Sequence, residues 1–217
     1  MNSKRQDLTL YGYFRSSASY RVRIALGFKQ LKYQYEAVHL LKDQQLSEEF
    51  VKLNPMGEVP CLIHSGRAIA QSMAIFQYLE DVFGGPKLFP RDPFLKAQVI
   101  QFCENINAGI HPVQNRKVQA ALGIRFQANA DQKKDWAAYW IHRGFISLEK
   151  ILSLTAGTYC FGGQPTSADM FLIPQVFNAE RFGVPLTEFP NIARINKTCL
   201  ALDFFQIAHP SEQPDKA

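Results

Sequence analysis

Serines at positions 16, 17 and 19 and an arginine at 21 fall where a short apolar run changes to helical spacing. The stretch reads L-T-L-Y-G-Y-F-R-S-S-A-S-Y-R-V-R-I-A-L over Leu8–Leu26. Leu8, Leu10 and Tyr11 form a strand that Gly12 stops, and Tyr20, Val22, Ile24, Ala25 and Leu26 carry a helix. Hydroxyls at a helix start sit beside backbone N–H groups that have no partner within the helix. That end also carries partial positive charge, so it suits an anion or a thiolate. A plainer chemistry for the same residues is a serine cap from Ser16, Ser17 or Ser19. The local pattern leaves both open.

The elements that must position these residues alternate. Tyr33–Leu40 has the alternation of a half-buried strand. Ser47 caps a short helix whose Glu48 and Glu49 favour its positive end. Asn54-Pro55-Met56-Gly57 marks a turn ahead of Glu58-Val59-Pro60-Cys61-Leu62-Ile63. A proline before an apolar strand cannot donate to a central ladder, so an edge, a bulge or a cis bond is expected. Ser65-Gly66 closes a hairpin to Ala68-Ile69-Ala70, and Gln71-Ser72 opens a helix with apolar Ile75, Phe76 and Leu79. The order β-α-β-α-β-β-α is that of a thioredoxin-like domain, in which the proline before the third strand faces the first helix start.

From Asp92 the pattern turns to long helical segments. Asp92-Pro93 is a cap followed by a first-turn proline, and Phe94, Leu95, Ala97, Val99, Ile100 and Phe102 follow. Pro112 is expected to end or kink this helix, with another over Val113–Phe126. Asp131 starts the next, ending by Gly157, with Trp136, Tyr139, Trp140 and Ile146 on broadly one face, and the Trp136/Trp140 stripe reads as core. Thr166-Ser167-Ala168-Asp169 has capping-box spacing. The last helix begins at Pro190, and the polar tail beyond His209-Pro210 is expected to fray. The fold class is an α/β N-terminal thioredoxin-like domain, residues 1–87, followed by an all-α C-terminal domain, residues 92–217.

Composition narrows the function. Of 217 residues 47% are hydrophobic and 20% charged, as in a soluble globular protein. A net charge of +5 with scattered basic residues makes nucleic acid a poor partner and leaves room for a small anionic substrate. Cys61, Cys103, Cys160 and Cys199 contain no C-x-x-C, which argues against a zinc or redox motif and for a reducing compartment. His39, His64, His142 and His209 form no metal-ligand spacing, and no metal is expected. The N-terminus lacks an apolar leader and no run approaches membrane-spanning length, so the cytoplasm is the expected location, without a membrane partner.

The chain carries S-S-A-S-Y-R-V-R-I-A-L at 16–26, N-P-M-G-E-V-P at 54–60 and Q-S-M-A-I at 71–75. In its helical half stand H-P-V-Q-N at 111–115, T-S-A-D at 166–169 and N-A-E-R-F at 178–182. On these marks nearly the whole chain resembles the cytosolic glutathione transferases, and within them the zeta class. V-P and Q-S alone indicate only the broad transferase fold. The serine run is class-specific.

The resemblance implies glutathione as cofactor, with Ser16 aimed at its sulfur and Ser17 beside it as the catalytic pair. A free thiol has a pKa of ~8.5, and lowering it by about two units needs ~2.7 kcal/mol. One hydrogen bond to a charged group contributes roughly 1.5–3 kcal/mol and a helix N-terminus ~0.3–2. A serine at that helix end therefore suffices without a general base. Val59, before Pro60, is implied to offer its backbone to the cysteinyl part of the peptide. Gln71 and Ser72 are implied to receive the γ-glutamyl carboxylate, and Gln45 to contact the peptide. Arg21, Asn115 and His111, the last from a neighbouring subunit, complete the implied glutathione contacts. Arg181 resembles the family's carboxylate anchor for the second substrate, with Arg21 as the alternative. On residue chemistry alone Gln45 also fits a solvated loop, Ser72 an ordinary cap, and Arg181 a surface partner of Glu180 or Glu188.

The implied activity is glutathione-dependent isomerisation of maleylacetoacetate to fumarylacetoacetate in aromatic amino acid catabolism, in a homodimer, with transferase activity on small α-halo acids. Two departures bear on it. Ala18 stands where the class usually has cysteine, which counts against a second reading as a thiol reductase. His111 replaces a glutamine, and Arg116-Lys117 replace less charged residues. A third reading, a non-catalytic interaction protein of transferase fold, is opposed by intact Ser16, Gln71 and Ser72.

Overall fold

The computed structural model describes residues 7–216. The chain forms two units, one made of the residues through Leu88 together with those from Ala201 onward, the other of Phe89–Leu200. Among the described residues no helix is long and apolar enough to cross a membrane.

The first unit is built on β1 (Leu8–Gly12), β2 (Gln34–Ala37), β3 (Cys61–His64) and β4 (Arg67–Ala70), in the order β2-β1-β3-β4. β1 and β2 run parallel, joined through α1 (Ser17–Phe28), whereas β1–β3 and β3–β4 are antiparallel. α2 (Glu48–Leu53) and α3 (Ser72–Val82) complete the thioredoxin-like order, with short 3-10 turns at Leu40–Lys42 and Gln44–Leu46. Ser47 caps α2 as expected, its Oγ accepting from Phe50 N–H at 3.3 Å. β2 is shorter than its alternation suggests, because its partner β1 runs out at Gly12, opposite Ala37.

α1 is buried from Ser17 to Leu26. Tyr20, Val22, Ile24, Ala25 and Leu26 have no exposed surface, and each large apolar side chain so buried contributes about 1.5–3 kcal/mol. Part of that cover is the C-terminal segment, α10 (Asp203–Ala208) and the turn Pro210–Glu212. The Phe28 and Phe204 rings stand 5.2 Å apart, and Arg23 Nε donates to the Ala208 carbonyl at 2.9 Å. Three expectations are thereby corrected. The segment from Ala201 does not belong to the helical unit, Pro190 does not open the last helix, and the tail is held rather than frayed. Arg23 and Ala208 are 185 residues apart, a pairing that no local pattern encodes.

The second unit comprises α4 (Pro93–Glu104), α5 (His111–Gln114), α6 (Arg116–Phe126), α7 (Ala130–Thr155), α8 (Ser167–Phe182) and α9 (Pro190–Leu200). Asp92 caps α4, accepting from Leu95 N–H at 2.7 Å, and Thr166 and Asp169 form the capping box of α8. Pro112 does not break the chain where expected. A π-helical turn, Asn105–Ile110, leads straight into α5, and Pro112 occupies its first turn, where a missing N–H costs little. The interruption comes at Asn115, whose extended backbone and side chain cap α6. The aromatic stripe of α7 is only partly covered: Trp140 is half-buried, whereas Trp136, Tyr139 and Ile146 are 37%, 56% and 42% exposed. Its buried face is Ala137, Ile141, Phe145, Leu148 and Leu152, the neighbouring stripe of the same helical period.

Candidate functional site

The register of the sheet gathers one end of the first unit. Tyr11 pairs with Cys61, and Cys61 with Ala70. The segments just beyond these positions therefore emerge together: Gly12 toward Ser16, Val59-Pro60 ahead of β3, and Gln71-Ser72 after β4. The Val59–Pro60 peptide is cis, one of the outcomes its position left open.

Ser16 is the N-cap of α1, and its Oγ accepts from Ser19 N–H at 3.2 Å. Accepting uses a lone pair, so the hydroxyl proton can still be donated to an anion at the helix end. The two readings of this serine are thus compatible in one side chain. No acidic residue lies in the first turn of α1, so the positive end is not neutralised from within. Ser17 is 2% exposed and its Oγ has no hydrogen-bond partner among the described residues. Leaving a buried hydroxyl unsatisfied costs about 1–3 kcal/mol, which a bound group offsets. Gly12 makes the close approach possible: a Cβ there would stand 3.0 Å from Tyr35 Cε2 and 3.3 Å from Ser19 Oγ.

Ser72 is the first residue of α3 and 2% exposed. Gln71 before it has φ +70°, a region that costs a non-glycine residue on the order of 1–3 kcal/mol, and it makes no side-chain cap bond. Arg21 Nη1 donates to Ser72 Oγ at 3.2 Å and ties α1 to α3. Arg21 has no exposed surface. Gln45 is 6% exposed, donates to Asp43 Oδ1 at 3.2 Å, and carries an Oε1 with no partner among the described residues. Its carbonyl would lie 3.1 Å from a Cβ at Gly57, whose φ is +61°. Val59 packs its side chain on Val38, Phe50 and Cys61.

His111, Asn115 and Arg181 belong to the second unit. His111 opens α5. Asn115 Oδ1 is committed to capping, accepting from Val118 N–H at 3.2 Å. Arg181 is exposed in the last turn of α8; its Nη1 donates to Asn178 Oδ1 at 3.3 Å, and its guanidinium lies 5.9 and 5.6 Å from the Phe177 and Phe182 rings. Glu188, one of its alternative partners, meets His142 at 3.3 Å.

Residues 6–81 match the glutathione S-transferase N-terminal domain family. A maleylacetoacetate isomerase of Mus musculus is 48% identical over 208 residues, covering 95% of this chain and 94% of its own. The holo structure of a maleylpyruvate isomerase, described as a bacterial zeta-class glutathione S-transferase, superposes with a TM-score of 0.94 at 39% identity, over 96% of this chain and all of that one. The chain belongs to the zeta-class glutathione transferases.

This zeta-class transferase also resembles the maleylacetoacetate isomerase of Anaeromyxobacter dehalogenans 2CP-1, crystallised with dicarboxyethyl glutathione and citrate in its active site. The TM-score is 0.86 at 38% identity, over 98% of this chain and 99% of the other. Three charged residues escaped the sequence reading. Arg15, next to Ser16, lies 5.3 Å from the Phe14 ring and donates to Tyr13 Oη at 3.4 Å; its adjacency to the serine run was the available signal. Arg23, 1% exposed, donates to the carbonyls of Tyr13 and Phe14 at 3.4 and 3.1 Å, and Asp215 accepts from Phe14 N–H at 3.0 Å. Neither has a local signal.

Proposed function

We propose that this zeta-class transferase binds glutathione and isomerises maleylacetoacetate to fumarylacetoacetate. The observation that carries the reading is Ser16, which caps α1 with a lone pair while its proton is available at a helix end free of acidic residues. The names of the Mus musculus and A. dehalogenans relatives support it, and the latter's bound diacid-bearing glutathione and citrate fit a small anionic substrate.

In the proposed chemistry glutathione thiolate adds to an alkene carbon of the cis substrate, and the displaced electron pair moves onto the conjugated carbonyl oxygen as an enolate. The former double bond rotates as a single bond. Collapse of the enolate then breaks the C–S bond, giving the trans alkene and the original thiolate. Ser16 stabilises the thiolate as nucleophile and as leaving group, assisted by Ser17. Ser72 and Gln71 receive the γ-glutamyl carboxylate, with Arg21 holding Ser72 in place from within the unit. Val59 and Gln45 hold the rest of the peptide, and His111 is retained as a contact from a partner subunit. Arg181 takes a substrate carboxylate. The same thiolate would displace halide from small α-halo acids. Ala18 and the buried cysteines argue against a thiol reductase. A cytoplasmic two-fold homodimer belongs to the same reading.

The test is incubation of purified protein with maleylacetoacetate, with and without glutathione. Conversion to the fumaryl isomer only when both protein and glutathione are present is the expected outcome. Conversion that does not depend on glutathione, or none at all, contradicts the reading.

A further inference from the structure

We propose that the C-terminal segment is a strap that fixes the turn carrying Ser16, with Asp215 as its positioning residue. The inference rests on the proposed glutathione chemistry of Ser16.

Ser16 sits at the end of a four-residue turn, Tyr13–Ser16, closed by Ser16 N–H donating to the Tyr13 carbonyl at 3.0 Å. The sheet cannot hold this turn, because β1 stops at Gly12. Side chains hold it instead. From one partner, Arg23 Nη1 and Nη2 take the carbonyls of Tyr13 and Phe14. From the other, Asp215 Oδ2 takes the Phe14 N–H at 3.0 Å and also accepts from Tyr35 Oη at 3.3 Å. A cation and a carboxylate thus grip adjacent polar groups of one turn. Burial lowers the Arg23 pKa, and the Asp215 charge is among those opposing the shift.

The strap is itself anchored. Gln213, 6% exposed, donates to the carbonyls of Ile207 and His209 at 2.9 and 3.0 Å. The His209 ring lies edge-on to Tyr20 at 5.8 Å, and Arg23 Nε holds the Ala208 carbonyl at 2.9 Å. The segment that delivers Asp215 is therefore bound to the same helix whose first residue follows Ser16. A backbone N–H can be satisfied by water, but water would not fix the turn's position. Position matters here, since a misplacement of about 1 Å costs on the order of 100-fold in rate.

The experiment uses the full chain and glutathione alone, and follows the thiolate absorbance of bound glutathione against pH, beside calorimetric affinity and thermal midpoint. Asp215→Ala is expected to raise the bound thiol's pKa by about one unit, a tenfold loss of thiolate stabilisation. Glutathione affinity at a pH below both thiol pKa values is expected to stay within about threefold, less than 1 kcal/mol by the usual conversion. Asp215→Asn, which keeps an acceptor for Phe14 N–H, is expected to restore the wild-type pKa. A purely structural role would lower the thermal midpoint of Asp215→Ala and leave the pKa where it was, and that result overturns the strap. Where Asp215→Ala does not fold, Asp215→Glu replaces it: the acceptor moves by one methylene, the same pKa rise is expected, and an unchanged pKa overturns the proposal. Wild-type protein that holds no glutathione thiolate overturns the functional reading of Ser16 and this inference with it. Wild-type thiolate with unchanged variants overturns the strap alone.

Discussion

Ser16 carries two interactions that one substitution can separate. Its Oγ accepts from Ser19 N–H at 3.2 Å, and its proton is assigned to the glutathione sulfur. Replacing a serine N-cap by alanine costs ~1 kcal/mol of stability, but replacing it by glycine costs only a few tenths. Loss of a hydrogen bond to a charged group costs roughly 1.5–3 kcal/mol in either variant. Ser16→Ala is therefore expected to lower the thermal midpoint by about 2–4 °C, whereas Ser16→Gly leaves it nearly unchanged. Both are expected to raise the pKa of bound glutathione thiol by ~1–2 units. Both should lower kcat/KM for the isomerisation by roughly 10–150-fold at a pH between the two thiol values. The assay is a thiolate absorbance titration paired with a thermal scan for each variant. Refutation is equally specific. If Ser16→Gly titrates like wild type, the hydroxyl is a cap alone, and thiolate stabilisation must come from Ser17 or the backbone N–H groups of α1.

Arg181 is exposed, so Arg181→Ala is expected to cost about 1 kcal/mol toward acidic substrates, roughly fivefold in kcat/KM. A neutral electrophile should hardly register the change; a constant acidic-to-neutral ratio would remove Arg181 from the site. All four cysteines are buried, and burial pushes the Cys61 thiol up to about 11, leaving ~0.01% thiolate at neutral pH. Alkylation of native protein at pH 7 should therefore label none of the four within the time that labels all of them in denaturant, and rapid native labelling would contradict this. Sedimentation at micromolar concentration should give twice the chain mass; a monomer would remove any partner-subunit role for His111.

The sequence was most legible where a residue type has one local job. The Ser16, Ser47, Asp92 and Thr166 caps were readable because a short polar side chain before a helical period has few other uses. The edge-sharing of Ser16, Pro60 and Ser72 also follows from strand order. What escaped depends on partners far along the chain. The tail looked frayed because Asp215 meets its donors, Phe14 N–H and Tyr35 Oη, only across 201 and 180 residues of chain. The burial of Arg21 was not legible, because a charged residue near a helix start is usually exposed, and Arg23, held to an Ala208 carbonyl 185 residues away, has no local signal. The aromatic stripe of α7 misled through size: its neighbours Ala137, Ile141 and Phe145 face the core. Pro112 misled because a helix tolerates proline in a first turn, and α5 begins one residue earlier.

The central claim is that glutathione thiolate, held at the start of α1, adds and is then released unchanged. Its most direct test is the stoichiometry of glutathione during isomerisation by the wild-type protein, with limiting glutathione and excess maleylacetoacetate. The account predicts that substrate turns over many times per glutathione, with the free thiol recovered in full at the end. Consumption of one glutathione per molecule converted would contradict it, because the thiolate would then be a substrate and not the leaving group that Ser16 stabilises.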